Sequence, residues 1–395
     1  MISSKMRPLV ENNSVIRMMF EEGKLMAAKY GAENVFDFSL GNPNVPAPEE
    51  VKQAILDILE NEDPVKVHGY MSNAGFPETR AAIAENLNRR FGTSFSERNI
   101  IMTVGAASGL NILLKTMLEP GDEVIALAPY FVEYGNYVRN YDGKLVVISS
   151  NPEGGFMPRL DELEQKITPK TKALIINNPN NPTGVIYPAE VIEQLAAVLE
   201  KKQKEYGTVI YMIADEPYRE LAYGGADVPY LTKFYANTLV GYSYSKSLSL
   251  PGERIGYVVI PDESDGADEF IDAAVIANRV SGSVNAPSLI QLVIARCVDA
   301  QCNVGYYERN GRTLYEALTK MGFECVEPQG AFYLWMKSPV ADEKAFVAAA
   351  KKHNILFVPG SSFAGPGYVR ISYCVSYEQI ERSLPAFEAL AKEYF

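Results

Sequence analysis

Four short apolar runs, each followed by polar residues, constrain the fold of this 395-residue chain most strongly. The runs are EVIALA (123–128), KALIIN (172–177), TVIYMIA (208–214) and TLVGYSY (238–244). Apolar runs of this length are typical of strands that are buried on both faces in a parallel sheet. Helix-like segments alternate with them, such as residues 49–60, EEVKQAILDILE, so the sequence predicts an α/β fold.

The residues that follow these runs are unusual for buried strand ends. Pro129 follows the first run, NPNNPTG the second, Asp215 the third and Ser245-Lys246 the fourth. Ligands of open parallel sheets bind beyond the carboxyl ends of the strands. The sequence therefore predicts a functional site at this edge of the sheet.

Composition excludes several classes of protein. The net charge of -12 comes from 37 basic and 49 acidic residues, and a nucleic-acid partner is not expected because such proteins carry a basic excess. No apolar stretch approaches the roughly 20 residues of a membrane span, and the N-terminus has no signal-peptide pattern. Four cysteines match no metal-binding spacing and only two histidines are present. We therefore expect a cytoplasmic protein with reduced cysteines, no metal and no membrane partner.

The segment SYSKSLSLPGERIGY (243–257) carries the most chemical information. Lys246 follows a strand directly, serines surround it, and Arg254 comes eight residues later. An amine forms a Schiff base with an aldehyde once it has lost its proton, and a guanidinium and hydroxyls suit a phosphate group. A surface lysine and arginine at a strand-to-helix turn is the alternative interpretation of this segment alone.

Two further segments add a donor and a carboxylate. NNPNNPTG (177–184) predicts a rigid turn that fixes the amide of Asn181, although the same letters also fit an ordinary loop. In ADEPY (214–218), Asp215 ends an apolar strand, where a carboxylate is costly unless it meets a cation. A protonated pyridine nitrogen is such a cation, and Tyr218 could donate to a phenolic oxygen.

Together these segments resemble the class I/II aminotransferases, the fold-type I enzymes that depend on pyridoxal 5'-phosphate (PLP). Their order and spacing agree from about Ser39 to Ser372. The resemblance implies a large PLP-binding domain with a mostly parallel central sheet, over residues 48–290. Residues 1–47 and 291–395 would form an N-terminal arm and a smaller α/β domain.

The resemblance also assigns residues to the cofactor. Lys246 matches the Schiff-base lysine, and Asp215 matches the partner of the pyridine nitrogen. TVGAASG (103–109) matches the turn whose amides hold the phosphate, and APYF (128–131) matches the segment whose aromatic side chain covers the ring. The remaining cofactor ligands fall into three groups. Asn181 and Tyr218 are implied at the ring hydroxyl, and Phe131, in preference to Tyr130, is implied over the ring. The phosphate ligands are implied to be Ser243, Arg254, Ala106 and Ala107.

Three more positions complete the implied site. In SLGNP (39–43), Gly41 matches the loop that approaches the substrate carboxylate, and in YVRIS (368–372) Arg370 matches its bidentate clamp. The resemblance also implies that Asn181 contacts the substrate. In HGYMSNAGFPETR (68–80), Tyr70 matches the tyrosine that reaches the phosphate of the neighbouring subunit. The resemblance thus implies a homodimer that shares its active sites.

The implied activity is the transfer of an amino group from an L-amino acid to a 2-oxo acid, with Lys246 moving the α-proton. Aspartate, aromatic amino acids and alanine are possible donors, and 2-oxoglutarate is the expected acceptor. Aspartate-specific bacterial relatives carry a lysine at the position of Ala107, and Arg279 lies near the position of a partner-subunit arginine of other aspartate enzymes. A carbon-sulfur lyase or an aminocyclopropane-carboxylate synthase remains an alternative. A PLP-binding sensor domain is another, although only about forty residues precede the SLGNP loop.

Overall fold

The computed structural model describes residues 2–11 and 15–395. The chain divides into two compact units. The first comprises Met1–Asn44, Pro182–Val185 and Gly305–Phe395, and the second comprises Val45–Asn181 and Ile186–Val304. None of the described helices is long and apolar enough to cross a membrane.

The strands of the described residues are short. In chain order they are β1 (Phe36–Asp37), β2 (Ile100–Thr103), β3 (Glu123–Leu127), β4 (Lys144–Ile148), β5 (Thr171–Asn177), β6 (Tyr211–Asp215), β7 (Thr238–Ser243), β8 (Gly256–Val259), β9 (Cys325–Val326), β10 (Tyr333–Lys337), β11 (Ile355–Leu356), β12 (Val358–Pro359) and β13 (Tyr368–Ser372).

Helices connect most of these strands. They are α1 (Met6–Glu11), α2 (Val15–Tyr30), α3 (Glu49–Asn61), α4 (Pro64–His68), α5 (Pro77–Phe91), α6 (Gly105–Met117), α7 (Tyr134–Asn140), α8 (Leu160–Lys166), α9 (Ala189–Tyr206), α10 (Tyr244–Ser247), α11 (Ala267–Val280), α12 (Ser288–Cys297), α13 (Val304–Lys320), α14 (Glu343–Lys352) and α15 (Tyr377–Ala391).

A seven-stranded sheet with the order β2-β8-β7-β6-β5-β3-β4 forms the centre of the second unit. The strands β7, β6, β5, β3 and β4 pair in parallel, whereas β8 pairs antiparallel with β2 and β7. This arrangement confirms the predicted α/β fold. The carboxyl ends of β2, β3, β5, β6 and β7 consequently share one edge, and β8 begins at that edge.

The strands form where predicted, with shifted boundaries. The run 208–214 becomes a strand only from Tyr211, and Asp215 is its last residue, as predicted. Tyr244, which we predicted as the last strand residue of the fourth run, begins α10 instead. The hydroxyl of Ser243 accepts a hydrogen bond from the amide of Ser245 and so caps the helix at this point.

The apolar strands explain the burial of this sheet. Their side chains pack with α6 and α11 in one cluster that includes Leu110, Leu113, Ile175, Leu239 and Val258. Helix α9 begins after Pro188 and ends at Tyr206, because Gly207 follows with a left-handed φ of 64°.

The first unit contains a smaller sheet. Its four strands have the order β12-β13-β10-β9 and pair antiparallel, and Arg370 of β13 lies opposite Trp335 of β10. A separate parallel pair joins β1 to β11. The strand that carries Arg370 is thus central in its sheet, between β12 and β10.

Candidate active site

Polar side chains meet at the carboxyl ends of three neighbouring strands in the second unit. Asn177, Asp215 and Ser243 are the last residues of β5, β6 and β7, and these strands are adjacent. Lys246 lies in α10, which follows β7 directly. The sheet therefore brings the predicted lysine, carboxylate and serine to one edge.

Only one of the two carboxylate oxygens of Asp215 has a hydrogen-bond partner among the described residues. Its side chain is only 4% exposed. The hydroxyl of Tyr134 donates a hydrogen bond to Oδ2 at 2.5 Å, whereas Oδ1 has no hydrogen-bond partner among the described residues. Burial raises the pKa of Asp215 to about 7, and the hydrogen bond from Tyr134 opposes this rise. A cation placed at Oδ1 would relieve the cost of burying this carboxylate.

Tyr134 was not predicted as a site residue from the sequence. It is the first residue of α7 and lies three positions after Phe131. Its ring packs edge-on against Phe131, with centroids 5.7 Å apart, and stacks on Tyr130 at 6.2 Å. An aromatic residue in an apolar neighbourhood looks like core packing, so only the fold shows that its hydroxyl reaches Asp215.

The side chain of Asn177 connects two of the predicted residues. Its Nδ2 donates to the backbone oxygen of Asp215 at 2.9 Å, and its Oδ1 accepts from the amide of Asn181 at 2.7 Å. Asn181 and Tyr218 are both buried. The sequence indicates Asn177 only as the start of the rigid turn, but its side-chain amide fixes that turn to the end of β6.

The start of α6 is suited to bind an anion, and we call this place, formed by Gly105, Ala106, Ala107 and Arg254, the anion cradle. Gly105, the first residue of this helix, has a φ of 74°, and a Cβ at this position would lie 2.7 Å from Nη2 of Arg254. The guanidinium therefore covers the helix N-terminus, where the amides of Ala106 and Ala107 lie in the first turn. Cations and helix N-terminal amides both favour a phosphate group.

Ser243 lies beside this cradle. Gly256 pairs with Thr103 on one side and with Ser243 on the other, so a single residue separates the end of β2 from the end of β7. A Cβ on Gly256 would lie 3.0 Å from the Cα of Gly105, so only glycine fits this close approach. The hydroxyls of Ser243 and Ser245 are 2.7 Å apart, which adds two oxygens near the cradle.

The first unit holds the predicted carboxylate clamp. Arg370 is 2% exposed, and its Nη2 donates to the backbone oxygen of Ser39 at 2.7 Å. The Cζ atom lies 4.4 Å from the ring centroid of Tyr333 and 4.6 Å from that of Phe363. These two aromatic residues were not predicted. They fix the plane of the guanidinium, which a bidentate contact with a carboxylate requires.

Gly41 and Tyr70 occupy very different surroundings. A Cβ on Gly41 would collide with the hydroxyl of Tyr333, so the first unit requires glycine there. Tyr70, which follows α4, is 95% exposed. A tyrosine ring that is almost fully exposed is not packed within its own chain.

The second unit fits PLP on the basis of its own geometry. The spare oxygen of buried Asp215 suits a protonated pyridine nitrogen, the cradle at Gly105 and Arg254 suits a phosphate, and Lys246 supplies an amine. Among the described residues, no group of three or more His, Cys, Asp or Glu side chains is placed to hold a metal ion.

Comparisons with known proteins agree with this geometry. Residues 33–387 match the family model of aminotransferase class I and II. An amino transferase from Eubacterium rectale has a structure with a TM-score of 0.97 and 47% identity, covering 100% of this chain and 99% of that chain. The aspartate/prephenate aminotransferase of Thermus thermophilus is 35% identical, covering 88% of each chain. Aromatic-amino-acid aminotransferase 2 of Thermococcus litoralis is 30% identical, covering 97% of this chain and 96% of that protein.

The chain belongs to the class I and II aminotransferase family. It is a PLP-dependent aminotransferase with the fold-type I architecture. Its relatives favour amino transfer over the carbon-sulfur lyase alternative. The family and cofactor predicted from the sequence are therefore confirmed, whereas the individual residue roles remain predictions.

Proposed function

We propose that Lys246 binds PLP covalently and that Asp215 holds the proton of the ring nitrogen. The observation that carries this proposal is the spare Oδ1 of buried Asp215 on the strand next to the one that leads to Lys246. Ser243, Arg254 and the amides of Ala106 and Ala107 hold the phosphate. Asn181 and Tyr218 donate to the ring hydroxyl oxygen, and Phe131 covers the ring.

When bound, PLP supplies an electron-accepting ring that stabilises the charge left after the α-proton departs. The Nζ atom of Lys246 takes this α-proton as a general base and returns it as a general acid. During this proton transfer, the carboxylate of Asp215 would keep the ring nitrogen protonated. Arg370 orients the substrate through its α-carboxylate, with Gly41 leaving room for that group.

The experiment that tests the role of Lys246 is chemical labelling. Borohydride should fix PLP to a single peptide that contains Lys246, and mass spectrometry identifies it. K246A should abolish amino transfer, because it removes the amine that binds PLP and moves the α-proton. Lys233, an exposed lysine of the same unit, offers the control variant K233A. A label on any other lysine contradicts the assignment.

We propose that the donors are L-amino acids and that 2-oxoglutarate is the acceptor. The relatives named above act, by their names, on aspartate, prephenate and aromatic amino acids. Ala107 offers no charge to a distal carboxylate, so we do not expect a strict aspartate enzyme. Assays of aspartate, aromatic donors and alanine against 2-oxoglutarate, pyruvate and oxaloacetate would rank these substrates.

We also propose a homodimer in which Tyr70 serves the phosphate of the partner subunit. The 95% exposure of Tyr70 supports this, as do the exposed apolar side chains of Val280 and Val284. Val284 neighbours Asn285, whose side chain donates to the backbone of Ser72, close to Tyr70 in the chain. Exposed apolar side chains near a functional tyrosine suit an interface between identical subunits.

Two further predictions belong to this proposal. The two structural units would correspond to a large PLP-binding domain, residues 48–290, and to an N-terminal arm with a small domain, residues 1–47 and 291–395. None of the four cysteines forms a disulfide, which supports the predicted cytoplasmic location. Fractionation of cells that express the protein would test the location.

A further inference from the structure

A buried ion pair follows Asp215 directly in the chain. Glu216 is 1% exposed and Arg219 is 5% exposed. Nε of Arg219 donates to Oε2 of Glu216 at 2.5 Å, and Nη2 contacts Oε1. Both carboxylate oxygens are therefore bound by one guanidinium, in the bidentate geometry that only arginine provides.

The guanidinium of Arg219 is held on every side. Its Cζ lies 5.1 Å from the ring centroid of Phe91 and 4.9 Å from that of Tyr230. Nη1 donates to the backbone oxygen of Val228 at 3.0 Å, and Nη2 donates to that of Pro229 at 3.2 Å. Arg219 thus has fixed partners and cannot turn away from Glu216.

Stability alone does not account for this pair. Burying two charges costs free energy that their attraction repays only in part, and apolar residues of similar size are often as stabilising. The pair therefore needs another reason to lie beside the site. Its position offers one, because Glu216 directly follows Asp215, the last residue of β6.

Two adjacent carboxylates at a buried strand end would compete. Burial is the main cause of the raised pKa of Asp215, and the negative charge of Glu216 adds to it. A like charge disfavours the ionised form of its neighbour, whereas a paired charge has a weaker effect. Burial raises the pKa of Glu216, and the positive charge and hydrogen bonds of Arg219 oppose this rise, so Arg219 compensates the charge of the Glu216 carboxylate.

We propose that Arg219 is a positioning residue for the cofactor: by neutralising Glu216, it leaves Asp215 as the single uncompensated carboxylate available to the ring nitrogen. This inference rests on the proposed role of Asp215. It predicts that loss of Arg219 weakens PLP binding through the charge of Glu216, and that removal of this charge restores binding.

The test measures the dissociation constant of PLP for the apoprotein at about pH 8.5, where glutamate is normally ionised. R219Q should weaken binding roughly tenfold, and the double variant E216Q/R219Q should return to within about threefold of wild type, since it lacks both charges. R219K, which keeps a cation, should lie between R219Q and wild type. R296Q is the matched control, because Arg296 pairs with Asp57 and Glu62 of the α3 region; its affinity should not change.

Other charged and titratable groups act on Glu216, and the variants leave them in place. They are Asp215, Arg90, Glu220, Tyr230 and Tyr257. Burial raises the pKa of both tyrosines, so they stay neutral at the pH of the measurement. The comparison therefore isolates the charges of Glu216 and Arg219.

Three results would overturn the inference. Wild-type affinity in R219Q would show that the pair does not act on the cofactor. Equal weakness in R219Q and in E216Q/R219Q would show that the pair only holds the turn. If R219Q does not fold, the PLP affinity of E216Q tests the proposal instead. We expect E216Q to bind PLP as tightly as the wild type or more tightly, and weaker binding contradicts the proposal. The variant D215N distinguishes failure of this inference from failure of the proposed role of Asp215. An unchanged PLP affinity in D215N overturns the role of Asp215 itself.

Discussion

Tyr134 donates its hydroxyl hydrogen to Oδ2 of Asp215 at 2.5 Å, and so leaves Oδ1 of that buried carboxylate for a ligand. The hydrogen bond does two things. It fixes the side-chain orientation of Asp215, and it lowers a pKa that burial has raised. Both effects favour an ionised carboxylate at a defined position.

Removal of this hydrogen bond should weaken the cofactor site. In Y134F the pKa of Asp215 should rise further, because the ionised form loses its donor. A hydrogen bond to a charged group contributes roughly 1.5–3 kcal/mol, so we expect PLP affinity to fall about tenfold or more. Equilibrium dialysis of the apoprotein would measure it. Y141F, at a half-buried tyrosine just after α7, is the control, and an equal loss in both variants would contradict the role of Tyr134.

The raised pKa of Asp215 also predicts how the apoprotein responds to pH. A carboxyl group with a pKa near 3.8 when unfolded and about 7 when folded binds its proton more tightly in the folded state. Its contribution to stability is complete below about pH 4 and is lost as the pH rises through about 7. D215N has no such group. The melting temperature of D215N relative to the wild-type apoprotein should therefore rise between pH 5 and pH 8, and a constant difference would contradict the assignment.

Arg370 should act on the substrate and not on the cofactor. R370K keeps the charge but loses the planar fork, so KM for amino and oxo acids should rise about 10- to 100-fold, as expected for a charge-assisted hydrogen bond. Steady-state kinetics with a saturating cofactor would measure this change. R382K, on the exposed surface of α15, is the control. Loss of PLP with an unchanged KM would assign Arg370 to a different role.

The sequence predicted the strands and the residues at their ends because both follow from local patterns. Continuous apolar runs identify buried strands, and a lysine or aspartate directly after such a run is costly without a partner. Asp215 and Lys246 could therefore be named before the fold was known. The boundary at Tyr244 was wrong because the hydroxyl of Ser243 caps a short helix, which hydrophobicity does not reveal.

The supporting residues could not be predicted because they depend on contacts between distant segments. Tyr134 lies 81 positions from Asp215, and in the sequence it looks like an aromatic residue of the core. Tyr333 and Phe363 flank Arg370 only because β10 and the turn before β13 meet in the small sheet. Glu216 and Arg219 are close in sequence, yet charged residues in a turn usually face solvent. Phe91 and Tyr230, which pack against the guanidinium of Arg219, come from distant segments of the chain.

The exposure of Tyr70 leads to the last prediction, that each active site takes this tyrosine from the other subunit. Y70F and K246A should each lose activity as pure proteins. In a mixed dimer, one site would then carry both lesions and the other would be intact, so random exchange should restore roughly a quarter of wild-type activity. Mixing D215N with K246A is the control, because both residues lie in the same unit of one chain and every mixed site keeps a lesion. Subunit exchange followed by an amino-transfer assay measures both mixtures. No recovery with Y70F and K246A, despite exchange proven by native mass spectrometry, would place Tyr70 in its own subunit's site, and a fully active monomer would exclude the shared arrangement.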